Sequence, residues 1–120
     1  MIRRMKTYTA QSGYVYQYYF VGKRDALAED PQAPATEYVF DVTLDGRAVY
    51  AISVFLRADA LDAWALSNGR SLTEAEQYAA AKLRLLQGFD EIEDLAASGR
   101  RLAIGADNIE EVLADLGLAG

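Results

Sequence analysis

The sequence predicts an α+β domain: an antiparallel meander of three or four strands from the N-terminal half, with two or three helices from the C-terminal half packed on one face. The composition changes near residue 57, with Tyr, Val, Phe and Thr common before it and Ala, Leu, Glu and Asp common after it. Strand formers followed by helix formers favour this class over alternating strand–helix units. The 120 residues fit a single domain, with strands expected over residues 6–56 and helices over 59–117.

The first two strands are expected on either side of Gln11-Ser12-Gly13, a triplet that predicts a tight loop with Gly13 in the left-handed conformation. Side chains alternate across a strand, so the tyrosine-rich segment YVYQYYF divides into two faces. Alanine-rich helices need large partners to reach native packing density. We therefore expect one face to fill the core: Tyr14, Tyr16, Tyr18 and Phe20. The other face holds Val15, Gln17, Tyr19 and Val21.

Residues 23–35 contain Pro31 and Pro34, and proline blocks regular strand pairing. We therefore expect a long loop that begins at Lys23 and Arg24. Long loops often hold binding residues, and a plain connector is the alternative interpretation.

A second hairpin is predicted around Asp45-Gly46. A two-residue turn would pair Leu44 with Arg47 and put the two apolar rows of the hairpin on opposite faces. A three-residue loop with Gly46 left-handed shifts the pairing by one, so that both rows share a buried face, and burial selects this register. The buried rows are Tyr38, Phe40, Val42 and Tyr50, Ile52, Val54, Leu56. The outer face then holds Val39, Asp41, Thr43, Val49, Ala51, Ser53 and Phe55.

Two helices are bounded by local signals. Asp59 as N-cap and Gly69 past the last turn delimit the first helix. Thr73 and Glu76 form a capping box for the second, and Gly88 can break or bend it.

The last segments are short. Residues 100–104 are expected to form an edge strand, and Asp107 with Glu110 begins a final helix whose apolar stripe ends before Gly117.

No set of residues points to catalysis. The chain has no histidine and no cysteine, so it lacks the commonest general base, the commonest metal ligand and any thiol nucleophile. We predict no catalytic residue, no cofactor and no metal. Asp90, Glu91 and Asp94 lie close on a helix but lack a calcium-loop pattern, and we expect a solvated face. No apolar stretch reaches the roughly 18 residues of a membrane span, and we expect a cytoplasmic protein without membrane contact.

The charge is distributed unevenly. Residues 1–24 carry five Lys or Arg and no acid, whereas the remaining 96 residues carry 18 acids and a net charge of −11. An acidic body argues against nucleic acid as a partner, because phosphate binding requires positive charge. It favours solubility or a basic protein partner.

The half-apolar outer face of the sheet predicts an interface. The leading hypothesis is a non-catalytic interaction domain, a cytoplasmic homodimer, with a small acidic inhibitor or immunity-type protein as its specific form. One alternative is a small-ligand pocket between sheet and helices, rimmed by tyrosine hydroxyls. Another is single-stranded nucleic acid binding, since the segment from Gly13 to Tyr19 matches part of an RNA-recognition strand pattern. The candidate binding residues are Tyr19, Val21, Lys23, Arg24, Val39, Val49 and Phe55.

Overall fold

The computed structural model describes residues 4–29, 31–92, 95–97 and 100–116. Five strands form one sheet in the order β1-β2-β3-β4-β5. The strands are β1 (Lys6–Thr9), β2 (Val15–Ala28), β3 (Ala33–Leu44), β4 (Tyr50–Arg57) and β5 (Arg101–Ile104). The helices are α1 (Ala58–Asn68), α2 (Glu74–Glu91) and α3 (Ile109–Ala114).

The topology confirms the predicted α+β class. Strands β1 to β4 form an antiparallel meander. The chain then passes through α1 and α2 and returns as β5, which pairs in parallel with β4. The sheet therefore has five strands rather than three or four, and the expected edge strand is the fifth. The strand beside β5 could not be predicted from four residues, because so short a segment indicates which side chains are buried but not which strand it pairs with.

The core lies between the sheet and the helices. Tyr16 and Tyr18 are buried, as predicted, and the Tyr16 ring stacks on Phe89 of α2 with centroids 4.2 Å apart. Phe20 is partly buried and packs against the Tyr78 ring. Alanines of the helices complete this interface, among them Ala60, Ala80 and Ala81.

Tyr14 does not belong to this core, contrary to the prediction. It precedes β2 and is 48% exposed, because the β1–β2 connection still occupies this position. Gly13 has the predicted left-handed backbone, with φ of 92°.

The long loop predicted for residues 23–35 is wrong. Strand β2 continues to Ala28, and β3 begins at Ala33. Pro34 is tolerated because β3 is paired only with β2 at this point: Leu27 faces Pro34, whereas pairing with β4 begins at Ala35. Proline excludes a strand with partners on both sides, but it does not exclude the end of a hairpin.

Arg57 fixes the tip of this hairpin. Its side chain is buried and donates to the carbonyl oxygens of Glu29 at 3.2 Å and Pro31 at 2.7 Å. The Asp59 carboxylate accepts from the same guanidinium at 2.9 Å, and this bond holds the pKa of Asp59 below its ordinary value. Asp59 is thus an ion-pair partner in the first turn of α1, and the N-cap is Arg57 rather than Asp59.

A β-bulge at Val21 changes which residues of β2 face the helices. The pairing with β3 shifts between Phe20 and Gly22. After the bulge, Lys23 lies opposite the buried Tyr38, and Arg24 lies opposite Glu37 on the outer face. Simple alternation from the tyrosines could not locate this shift.

The β3–β4 hairpin has the two-residue turn of one prediction and the strand register of the other. Asp45 and Gly46 both have positive φ, and Arg47 donates to the Leu44 carbonyl, so the tip is a two-residue turn. The strands nevertheless pair as burial requires, with Val42 opposite Tyr50. The irregular residues 47–49 lie outside the pairing, and they restore the register in which both apolar rows share one face. The predicted buried rows therefore share the helix-covered face.

The helix signals were largely predictive. Gly69 ends α1 in the left-handed conformation, and Thr73 with Glu76 forms the predicted capping box of α2. Gly88 neither breaks nor ends α2, which continues to Glu91. Asn108 rather than Asp107 is the N-cap of α3.

Candidate interaction surface

One face of the sheet is buried by the helices, and the opposite face, called here the open face, is not. The core residues of all three helices cluster with strand residues of the covered side alone. Three rows of neighbours cross the middle of the open face: Tyr19, Asp41 and Ala51; Gly22, Val39, Ser53 and Arg101; and Arg24, Glu37, Phe55 and Ala103.

A polar network stiffens the centre of the open face. The Arg24 guanidinium donates to both carboxylate oxygens of Glu37, at 2.8 and 3.3 Å, and the Ser53 hydroxyl donates to Glu37 at 2.6 Å. Glu37 is only 8% exposed. The bond from Arg24 is the main cause that lowers the pKa of Glu37, against the opposing effect of burial. The carboxylate thus holds Arg24, whose own side chain is 70% exposed.

Four of the seven candidate binding residues lie together. Val21, Lys23, Arg24 and Val39 line a shallow depression of about 270 Å³ beside Gly22. The β-bulge creates this depression, since it turns Val21 outward and places Gly22, which has no side chain, opposite Val39.

Tyr19 occupies the adjoining row of the open face, opposite Asp41. Lys23 points to the helix side instead, where its ammonium group lies 5.9 Å from the Tyr38 ring centre and 4.0 Å from the Glu74 carboxylate.

Val49 is not placed as predicted, whereas Phe55 lies on the predicted face but is buried there. Val49 lies in the irregular connection before β4, because the hairpin needs residues 47–49 to correct its register. Phe55 is on the open face but only 8% exposed, since Ala28 and Ala35 pack beside it and Arg101 lies 5.4 Å from its ring centre.

The edge of β2 is a feature that the sequence analysis missed. Strand β1 pairs only with the first part of β2, and its last pair joins Lys6 to Tyr18. Within the described chain, residues 20–28 of β2 therefore have a strand on one side only. The predicted loop at residues 23–35 concealed this, because an edge exists only if these residues form a strand.

A cavity of about 360 Å³ lies at the other end of the sheet, between the β3–β4 connection and the segment before β5. Arg47 and Arg100 line it together with Tyr16, Tyr50 and aliphatic side chains. Arg100 has a left-handed backbone, with φ of 59°, and its guanidinium lies 5.3 Å from the Tyr50 ring centre. No sequence signal could join positions 47 and 100.

The acidic charge is concentrated on α1 and α3, which contact each other. Residues 58–68 and 105–116 contain no Lys or Arg. Their exposed acids are Asp59, Asp62, Asp107, Glu110, Glu111 and Asp115.

The other candidate sites are dispersed. Of the tyrosines in the RNA-like pattern, Tyr14 is exposed before β2, Tyr16 is buried, and Tyr19 lies on the open face. Asp90 accepts hydrogen bonds from the Tyr8 hydroxyl and the backbone N–H of Gln11, and Asp94 lies outside the described residues. Among the residues that the structure describes, no three acids group as a metal site would require.

No family model, curated protein or solved structure matches this chain. None of the described helices is long and apolar enough to cross a membrane.

Proposed function

We propose that this protein is a non-catalytic interaction domain that binds another protein through the open face of its sheet. The observation that carries the proposal is the one-sided layering, in which all three helices pack on one face of the sheet. Proteins seldom leave a sheet face with several large apolar groups without a partner.

The open face has the composition of a binding surface. Tyr19 and Val39 supply apolar contact area near its centre, and the depression beside Gly22 makes the surface concave there. Arg24 is held in place by Glu37 before any partner arrives. Tyrosine and arginine are enriched among residues that dominate binding energy, and a fixed side chain loses less entropy on binding.

A basic partner fits the charge of the molecule best. The net charge of −6 would attract it over a distance and raise its association rate. A small acidic inhibitor or immunity-type protein, which masks a basic surface on an enzyme, is the specific form that this charge favours. Its association rate should fall as salt concentration rises.

Partner capture from the native lysate tests this proposal. The wild-type protein should retain a basic protein that Val39→Lys loses, because a lysine there removes apolar contact and repels a basic surface. Leu66→Lys is the matched control: Leu66 is 88% exposed on α1, and its variant should retain the partner. Equal retention by both variants, with circular dichroism showing native folds, would reject the open face as the binding surface.

A second candidate function, binding of a small anionic ligand, is favoured by the cavity between the β3–β4 connection and β5. Two arginines and two tyrosines converge there on aliphatic walls, which suits a carboxylate with an apolar body. Octanoate should shift the NMR signals of Tyr50 and Arg100, whereas octanol should not. Arg100→Gln should abolish the shift and Arg101→Gln, on the open face, should preserve it; no shift with octanoate would end this proposal.

A further inference from the structure

The β2 edge is long for an unprotected strand. From Phe20 to Ala28, β2 lies beside β3 on one side and, within the described chain, beside no strand on the other. An edge of this length offers unpaired backbone groups to another strand. Its two exposed apolar residues, Val21 and Leu27, are 50% and 57% exposed.

The side chains along this edge are self-complementary. A two-fold axis through an antiparallel pair of identical strands places residue i opposite residue j of the second copy, and both must point to the same face. Centred on Arg24, this pairing puts Lys23 opposite Asp25 of the second copy, and Asp25 opposite its Lys23.

Neighbouring registers lack this match. A pair centred on Lys23 or on Asp25 would place identical charges opposite each other, which is destabilising in antiparallel sheets. Arg24 would face its own copy, but each guanidinium is already bound to Glu37 of the same chain. The two Lys23 and two Asp25 side chains at the centre of the pair carry no net charge, and each Arg24 is neutralised by its own Glu37.

We propose that two copies of this chain associate edge to edge through an antiparallel β2–β2 pair centred on Arg24. The result is a continuous sheet with the helices of both copies on one side and both open faces on the other. This arrangement leaves the open faces available, and it does not depend on a partner that binds them.

Charge exchange tests the dimer by sedimentation equilibrium. K23D and D25K each place like charges opposite each other twice per dimer, and each should weaken association about tenfold. The double variant K23D/D25K restores opposite charges with reversed polarity and should recover wild-type association. D62K makes the same charge change on α1 and should have no effect. A strict monomer, or a double variant no stronger than the single ones, overturns the proposal.

Disulfide trapping tests the register itself, since the chain has no cysteine of its own. Directly opposite residues have Cα atoms about 4.5–5.5 Å apart, which is within disulfide range. R24C should therefore form a covalent dimer on oxidation. In K23C the two cysteines would be diagonal neighbours, about 7–8 Å apart, and should cross-link poorly. Equal cross-linking of both variants, or of neither, contradicts the register, and neither outcome bears on capture by the open face.

Discussion

Glu37 shows how a charged residue can be buried on a sheet face that none of the described helices covers. Its carboxylate is satisfied by the Arg24 guanidinium and the Ser53 hydroxyl, and a buried charge persists only with such partners. Glu37 also decides the direction of Arg24, so one residue serves both the stability and the shape of the open face.

The first prediction concerns Glu37→Gln. Because the pKa of Glu37 is lowered in the folded state, its contribution is complete above the ordinary value of 4.5 and is lost as the pH falls. The variant should therefore be less stable at pH 7 by about 1–3 kcal/mol, with a gap that narrows in acid. Urea unfolding at several pH values measures this gap. Glu29→Gln, at an exposed position, is the control, and an equal loss there would contradict the assignment.

Tyr8 gives the opposite pH dependence. Its hydroxyl donates to the Asp90 carboxylate at 2.5 Å, and this bond, with burial, raises the pKa of Tyr8 to about 12. The stabilisation is complete below the unfolded value of 10 and is lost as the pH rises towards 12.

Tyr8→Phe should therefore be less stable than wild type at neutral pH, and the difference should shrink between pH 10 and 12. The free energy of unfolding, measured in urea across this range, checks it. Tyr14→Phe alters an exposed tyrosine and should show no difference at any pH. A constant deficit in the Tyr8 variant would mean that the bond to Asp90 is not its cause.

Among the elements, α2 and β5 approach each other closely at Gly88. A Cβ at this position would lie 2.8 Å from the Leu102 Cδ1 atom. An alanine here would force the Leu102 side chain to shift, and this cost opposes the gain of about 1 kcal/mol that alanine brings inside a helix.

Gly88→Ala should destabilise the protein by about 1 kcal/mol, since crowding in a packed core costs roughly 1–3 kcal/mol and exceeds the helix gain. Leu102→Ala removes the obstructing atoms, so the double variant should be more stable than the two separate losses predict. A double-mutant cycle in urea measures this coupling. An unchanged or increased stability of Gly88→Ala alone would show that Leu102 moves aside freely.

Local signals were predictive wherever one element decides its own shape. The capping box at Thr73, the helix end at Gly69 and the buried rows of the β3–β4 hairpin all follow from residues within a few positions of one another. The β2 bulge could not be predicted, because it appears only in the pairing of β2 with β3, which no pattern within β2 indicates. The proline-containing hairpin tip was missed because its anchor, Arg57, is distant in sequence.

The candidate binding residues also divide into those that local patterns could place and those that required tertiary structure. Alternation along single strands placed Tyr19 and Val39 among the candidates, and the loop predicted from residue 23 supplied Arg24. Strand pairing brought Val39 and Arg24 to one depression. Phe55 was expected to be exposed, but the alanines that shield it belong to β2 and β3. The free β2 edge and the arginine-lined cavity required tertiary structure, since each joins or exposes segments that no local pattern relates.

At the scale of the whole molecule, the acidic surface and the proposed binding surface lie on different layers. The helices carry the acidic surface on α1 and α3, and the sheet carries the open face and the free β2 edge. Edge pairing would double the open face without covering it. The net negative charge of the molecule would then attract a basic partner, and the open face would bind it.

Site-specific photo-crosslinking tests most directly whether the open face is the binding surface. A benzophenone amino acid replaces Tyr19 on the open face or Leu66 on the helix layer, and both proteins are irradiated in native lysate. Binding through the open face predicts an adduct with a basic protein from position 19 and none from position 66. Adducts from position 66 alone, or identical adducts from both positions, would contradict binding through the open face.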